Sequence, residues 1–168
     1  MSYAPFIGFA SLVVAASLVW RLQTARLAAR LFGGYRLRYV HNRWIIEAMT
    51  DGRKVKYTTG GMGLFPALTY LLVESPVRAE YSVTEDRVVG EIPQSVRNDM
   101  DGLRATGGFR RLDSLRSGSS PVAASGRVSW LHPGEGILLR RYTRAGGDPV
   151  AVKRDIAALL RIAEELTH

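Results

Sequence analysis

Residues 4–20, APFIGFASLVVAASLVW, carry no charged side chain, and counted from Met1 the uncharged run is 20 residues long. At about 1.5 Å of rise per residue such a run makes roughly 30 Å of helix, the thickness of a bilayer's hydrocarbon core. A single crossing fits, with little length to spare. A cleaved signal peptide wants Lys or Arg before its apolar stretch and a small-x-small site after it, whereas here Met-Ser-Tyr precedes and Trp20-Arg21 follows. The stretch is therefore read as an uncleaved anchor, in preference to a signal peptide or a buried soluble helix.

Basic residues set the expected orientation. Residues 1–60 hold nine Lys or Arg against Glu47 and Asp51, while the rest of the chain holds fourteen against thirteen acidic residues. The net charge of +8 thus sits almost wholly beside the apolar run, and an excess of Lys and Arg there marks the cytoplasmic side. The expected location is a cell membrane, inner or intracytoplasmic, crossed once with the C-terminal domain in the cytoplasm. A high isoelectric point also suits nucleic-acid binding, but a charge excess confined to the membrane flank needs no nucleic acid to explain it. Cysteine is absent, which excludes disulfides and thiolate chemistry.

The anchor runs without a break into RLQTARLAARLF, where Arg21, Gln23, Arg26 and Arg30 share one side and Ala25, Leu27, Ala28, Leu31 and Phe32 the other. One helix is expected over both stretches, its second part leaving the bilayer or bending along the surface among lipid phosphates. Trp20 marks the join, at the headgroup level an indole prefers, and Gly33-Gly34 ends the helix. This gives an anchor with a basic interfacial helix over 1–33 and a single cytoplasmic domain over 34–168.

From Tyr35 the period falls to two. YRLRYVH, RWIIEAM and KVKYTT, separated by His41-Asn42 and by Thr50-Asp51-Gly52, read as a β-meander whose first strand has an apolar face (Tyr35, Leu37, Tyr39) and a basic one (Arg36, Arg38). TGGMGLFPALTYLLVES follows. No Gly-Lys-Ser/Thr or GxGxxG spacing supports a phosphate loop; it reads as a loop feeding a strand, Leu68 to Val73, paired with Val77 to Val83 across Ser75-Pro76. Met62, Leu64 and Phe65 make a candidate apolar tip for bilayer or protein contact. A short helix over QSVRNDMDGL, a strand or basic contact at Phe109 to Leu112, and a turn-rich surface loop, SLRSGSSPVAASG, come next. RVSWLH and GILLRRYTR read as a second hairpin across Pro133 to Gly136. Asp148-Pro149 then opens a final helix, with Val152, Ile156, Leu159, Leu160, Ala163 and Leu166 on its apolar side and Lys153, Arg154, Asp155, Arg161, Glu164 and Glu165 on the other. The fold class is α+β: a transmembrane helix continuing into a basic amphipathic segment, then an antiparallel sheet with an amphipathic C-terminal helix packed on it.

Chemistry-bearing motifs are sparse. His41 and His132 fall at turns, His168 is terminal, and none has a metal-ligand spacing; Glu91, Asp99 and Asp101 lack the further oxygen ligands of a calcium loop. No nucleophile elbow, zinc-protease or Walker motif occurs, so no catalytic residue, metal or cofactor is assigned. A dispersed active site would instead announce itself by lost turnover on changing His41, His132 or Asp99.

In plan the chain resembles the helix-anchored, β-rich cytoplasmic subunits that cover energy-converting membrane complexes, such as the H subunit of purple-bacterial photosynthetic reaction centres. The resemblance implies a non-catalytic accessory or scaffold subunit, photosynthetic or respiratory, and lends no role to any single residue. Expected partners are integral membrane proteins and anionic lipid headgroups. Candidate contacts are Phe6, Phe9, Leu12 and Val13, helped by the small Gly8, Ala15 and Ala16, then Trp20, Arg21, Arg26, Arg30, and the tip Met62, Leu64 and Phe65. The alternative is a membrane-anchored adaptor whose basic flank binds anionic lipid or nucleic acid.

Overall fold

A computed structural model of the chain describes residues 4–58, 67–78, 80–116, 135–143 and 147–167, with side chains from residue 7 onward. The first element, α1 (Ala4–Leu31), is one helix of 28 residues. It spans both the apolar run and the arginine-bearing stretch, as the absence of any glycine or proline between Gly8 and Gly33 allows.

Three strands follow as a meander: β1 (Arg36–Val40), β2 (Arg43–Thr50) and β3 (Arg53–Thr58). Both connections are two-residue turns with positive φ, 47° and 61° at His41 and Asn42, then 51° and 74° at Asp51 and Gly52. Paired positive φ values give type I′ turns, whose twist matches that of the flanking strands. The Tyr39 hydroxyl donates to Asn42 Oδ1 and steadies the first of them.

The remaining elements are β4 (Ala67–Glu74), β5 (Ser82–Thr84), β6 (Val88–Val89), α2 (Gln94–Ala105), β7 (Phe109–Leu115), β8 (Gly136–Thr143) and α3 (Pro149–Glu165). Among the described residues the sheet has eight strands, in the order β1-β2-β3-β4-β8-β7-β5-β6. Every neighbouring pair is antiparallel.

The expected pairing of Leu68–Val73 with Val77–Val83 does not form. β4 lies between β3 and β8, with Leu72 opposite Lys56 and Leu138. Glu135 explains why the chain fails to turn back after β4: its carbonyl accepts from Ser75 N–H and its carboxylate from Val77 N–H, each at 3.2 Å, and Pro76 between them has no N–H to give. The backbone donors a return strand would need are thus engaged elsewhere, and β5 pairs with β6 and β7 instead. In the expected second hairpin, 127–132 lie outside the described residues, and both edges of β8 are taken by β4 and β7.

Strand alternation gives the sheet two unlike faces. On one, Ile46, Val55, Leu71, Val73, Leu112, Ile137 and Leu139 meet all three helices in the main core. The second half of α1 contributes Leu27, Ala28, Leu31 and Phe32 to that core, so the apolar side of the segment that leaves the bare half packs on the sheet. The opposite face carries a smaller apolar cluster around Ile45, Tyr70, Leu72 and Leu138, bordered by ion pairs of Lys56 with Glu74, Arg38 with Glu47 and Arg140 with Asp113.

The N-terminus of α3 is capped as expected: Asp148 accepts from Val150 N–H at 3.0 Å, with Pro149 in the first turn. Asp155 departs from its expected solvent side and is only 4% exposed. The reason is Arg141 of β8, whose guanidinium reaches both Asp155 oxygens at 2.9 and 3.2 Å. The same guanidinium donates to the carbonyls of Leu103, Thr106 and Gly107 and to the Thr106 hydroxyl. It therefore satisfies carbonyls left over at the C-terminal end of α2 while joining that end to β8 and α3.

Candidate functional site

Along α1 the character changes once. From Ile7 to Val19 every side chain is exposed except the half-buried Ala16, and all are apolar but Ser11 and Ser17. Ile7, Phe9 and Leu12 are 63%, 69% and 68% exposed. Large side chains on all sides of a helix with no protein over them form a continuous uncovered apolar surface. Ile7–Leu31 is long and apolar enough to cross a membrane.

At Trp20 the helix meets the domain. Trp20, Thr24, Leu27, Ala28 and Leu31 are buried at spacings of three and four, the stripe of a helix docked on a sheet. Thr24 hides its hydroxyl by donating to Trp20 O at 2.9 Å, which makes a polar residue tolerable in that stripe. No linker separates the two halves; the residues that leave the domain surface continue the same helix.

An aromatic cluster surrounds the join. Trp20 meets Tyr39 edge to face at 6.1 Å between ring centres, and Tyr39 meets Trp44 at 5.0 Å. Tyr39 and Trp44 are direct cross-strand partners just inside the His41-Asn42 turn. The Arg21 guanidinium lies 5.9 Å from the centre of the Trp44 ring, within the range of a cation–π contact. The far end of the docked half, Leu31 and Phe32, instead lines a cavity with Thr50, Asp51 and Arg53. β1 therefore runs back along α1, and the His41-Asn42 turn lies toward the bare half of the helix.

Of the contacts expected from sequence, Phe9, Leu12 and Val13 are exposed on the bare half. Arg21, Arg26 and Arg30 are exposed on the solvent side of the docked half, and Trp20 is buried at the join. The Phe6 side chain and Met62, Leu64 and Phe65 lie outside the described residues. Thr58 and Ala67, which flank that glycine-rich stretch, stand at the same end of the sheet as Trp44, since Thr58 pairs with Ile45 and Arg43 Nη1 donates to Leu68 O at 2.8 Å. Tyr39 and Trp44 were not singled out by sequence reasoning. Their signal was available in two aromatics flanking a two-residue turn, directly opposite once the register is drawn.

Elsewhere several ionisable groups pair with one another. Asp99 accepts both Arg161 nitrogens, Nε at 3.2 Å and Nη2 at 2.5 Å, and Asp101 faces Arg104 at 3.6 Å. Burial pushes the Asp155 carboxyl up and the Arg141 guanidinium down, each against the attraction of the other. Burial likewise raises the Tyr57 and Tyr81 phenols. These perturbed groups lie within the core, not in a cleft. Among the described residues no cluster of three or more His, Asp or Glu could hold a metal ion. A cavity of about 670 Å³ between β6 and α2 is lined by Val88, Ile92 and Met100 with Glu91, Arg97, Asp101 and Arg104, so two of the three carboxylates considered from sequence share it, while Asp99 pairs with Arg161.

No protein-family model, curated protein or solved structure matches the chain.

Proposed function

We propose that the chain is a non-catalytic accessory or scaffold subunit of a larger integral-membrane complex, held by α1 and covering the complex's cytoplasmic face. The bare apolar half of α1, continuous with a half that is locked into the domain, is the observation that supports this reading. A core helix of a soluble protein would bury such a surface, and a flexible tether would not enter the sheet's own core. The rigid joint holds the domain at the membrane surface, where contact with neighbouring integral proteins requires no further ordering of a linker. The basic excess beside the helix supports the cytoplasmic side, and Gly8, Ala15 and Ala16 leave room for a partner helix to approach.

Extraction of native membranes in a mild detergent at low and at high salt, followed by sizing and mass spectrometry, tests the proposal. Comigration with a defined set of integral proteins at both salts is expected. Release as a lone chain at both salts would refute it. Release at high salt alone would favour an adaptor bound through the exposed Arg26 and Arg30, because phosphate contacts weaken as salt screens them.

A further inference from the structure

We propose that the tip of the β1–β2 hairpin is a lipid-binding edge, seating Tyr39 and Trp44 in the phospholipid headgroup layer of the membrane that α1 crosses. The inference rests on the membrane reading above and adds which part of the domain touches lipid. The charge pattern of α1 carries the argument. Residues 4–20 bear no charged side chain and Arg21 ends the run. A charged side chain inside the hydrocarbon core is costly, so the hydrocarbon boundary falls at the Trp20–Arg21 join, and Leu22, one residue past the first arginine, is 57% exposed. Whatever the domain presents beside Trp20 then lies at headgroup depth.

That neighbourhood has the composition such a layer selects. Tyr and Trp rings, with an apolar body and one polar edge, concentrate at membrane interfaces. Tyr39 remains 53% exposed although it packs against two indoles. Arg21 stands beside Trp44, placing a cation among lipid phosphates. His41 and Asn42, at the extremity of the hairpin, are polar and exposed, and lie on the lipid side of the aromatic pair. Met49, at the other end of β2, is exposed but on the side away from the bare helix. The ligand is thus the glycerol and phosphate region of a phospholipid, met by aromatic edges and one guanidinium.

Four single-tryptophan variants of the full chain test this in phosphatidylcholine vesicles containing phosphatidylglycerol, using lipids brominated close to the ester or close to the chain end. The first keeps only Trp44, with Trp20→Phe and Trp130→Phe. The others also carry Trp44→Phe and place the reporter by Tyr39→Trp, Leu12→Trp or Met49→Trp. Trp44 and the Tyr39→Trp reporter are expected to emit to the blue and to be quenched more by shallow than by deep bromine. The Leu12→Trp reporter should prefer deep bromine, and the Met49→Trp reporter should be unquenched. If the Leu12→Trp reporter is quenched but neither hairpin reporter is, the lipid-binding edge is overturned while the anchor stands. Loss of quenching at all four sites overturns the membrane reading itself. Quenching of the Met49→Trp reporter equal to that of Trp44 refutes a contact confined to the tip. Agreement between Trp44 and the Tyr39→Trp reporter guards against misfolding of either variant.

Discussion

Replacing Arg141 with methionine tests how the helices are fastened to the sheet. The substitution keeps most of the apolar stem and removes a guanidinium that serves Asp155 and the end of α2 at once. Breaking a buried ion pair from one side costs about 3–5 kcal/mol, because the remaining charge stays buried without compensation. Carbonyls of Leu103, Thr106 and Gly107 lose a donor as well, at about 1–3 kcal/mol for any that water cannot reach. A total of about 5 kcal/mol or more is comparable with the entire stability of many domains, about 5–15 kcal/mol. The loss should also depend on pH. Asp155 already sits above the ordinary carboxylate range through burial, with Arg141 opposing the shift; without Arg141 its folded pKa rises further. A group whose folded pKa is raised contributes stability that is full below its unfolded pKa, about 4, and lost as pH rises through the folded value. Arg141→Met should therefore be least stable toward neutral pH and recover on acidification relative to the unsubstituted chain. Adding Asp155→Leu should restore a large part of the loss at neutral pH and flatten that pH dependence. Urea unfolding of the full chain in a mild detergent, followed by tryptophan fluorescence between acid and neutral pH, measures both effects. Equal midpoints for the single and double variants at every pH would refute Asp155 as the counter-charge, and a loss below about 1 kcal/mol would refute the fastening itself.

Leu12→Arg places a charge in the middle of the bare half of α1, where insertion is opposed by about 2.5–3.5 kcal/mol; the chain should move from the carbonate-resistant membrane fraction to the wash, while Met49→Arg stays. Gly108→Ala should destabilise the fold by about 1–3 kcal/mol in the same urea assay, since Gly108 has φ +79° and an added Cβ would come within 2.2 Å of Tyr142 O. Gly102→Ala, inside α2 with open space around its Cβ, should stabilise by about 0.5–1 kcal/mol.

Features with local physical causes were legible in the sequence. The meander follows from residues that tolerate positive φ at two turns, α3 from Asp148 and Pro149 with a 3.6-residue stripe, and α1 from an unbroken apolar run. The neighbours of β4 were not legible, because Leu72 opposite Leu138 joins residues far apart in the chain and no turn between them specifies the register. Asp155 lies three residues after Val152 and four before Leu159, on the margin of the buried stripe, and only Arg141 arriving from β8 decides that it faces inward. The apolar stripe of residues 21–32 suited a bilayer surface and a protein core equally, since both reward the same periodicity. What settles it is the set of β-strand side chains it meets, which the stripe itself does not encode. The interface at Trp20 was half legible: the indole beside an arginine was visible, whereas Tyr39 and Trp44 acquire their position only once β1 folds back along α1.

If α1 crosses the bilayer as proposed, its unbroken passage from the bare half into the domain also makes the molecule a lever. Transmembrane helices tilt by about 20° on average and adjust that tilt to bilayer thickness. With the helix fused to the sheet at Trp20, Leu27 and Leu31, the domain must turn with it. A point ~30 Å from the joint sweeps about 10 Å for such a tilt. Membrane thickness would then be read out as the bearing of the sheet, and a neighbouring protein that fixes that bearing would in turn set the angle at which this helix crosses.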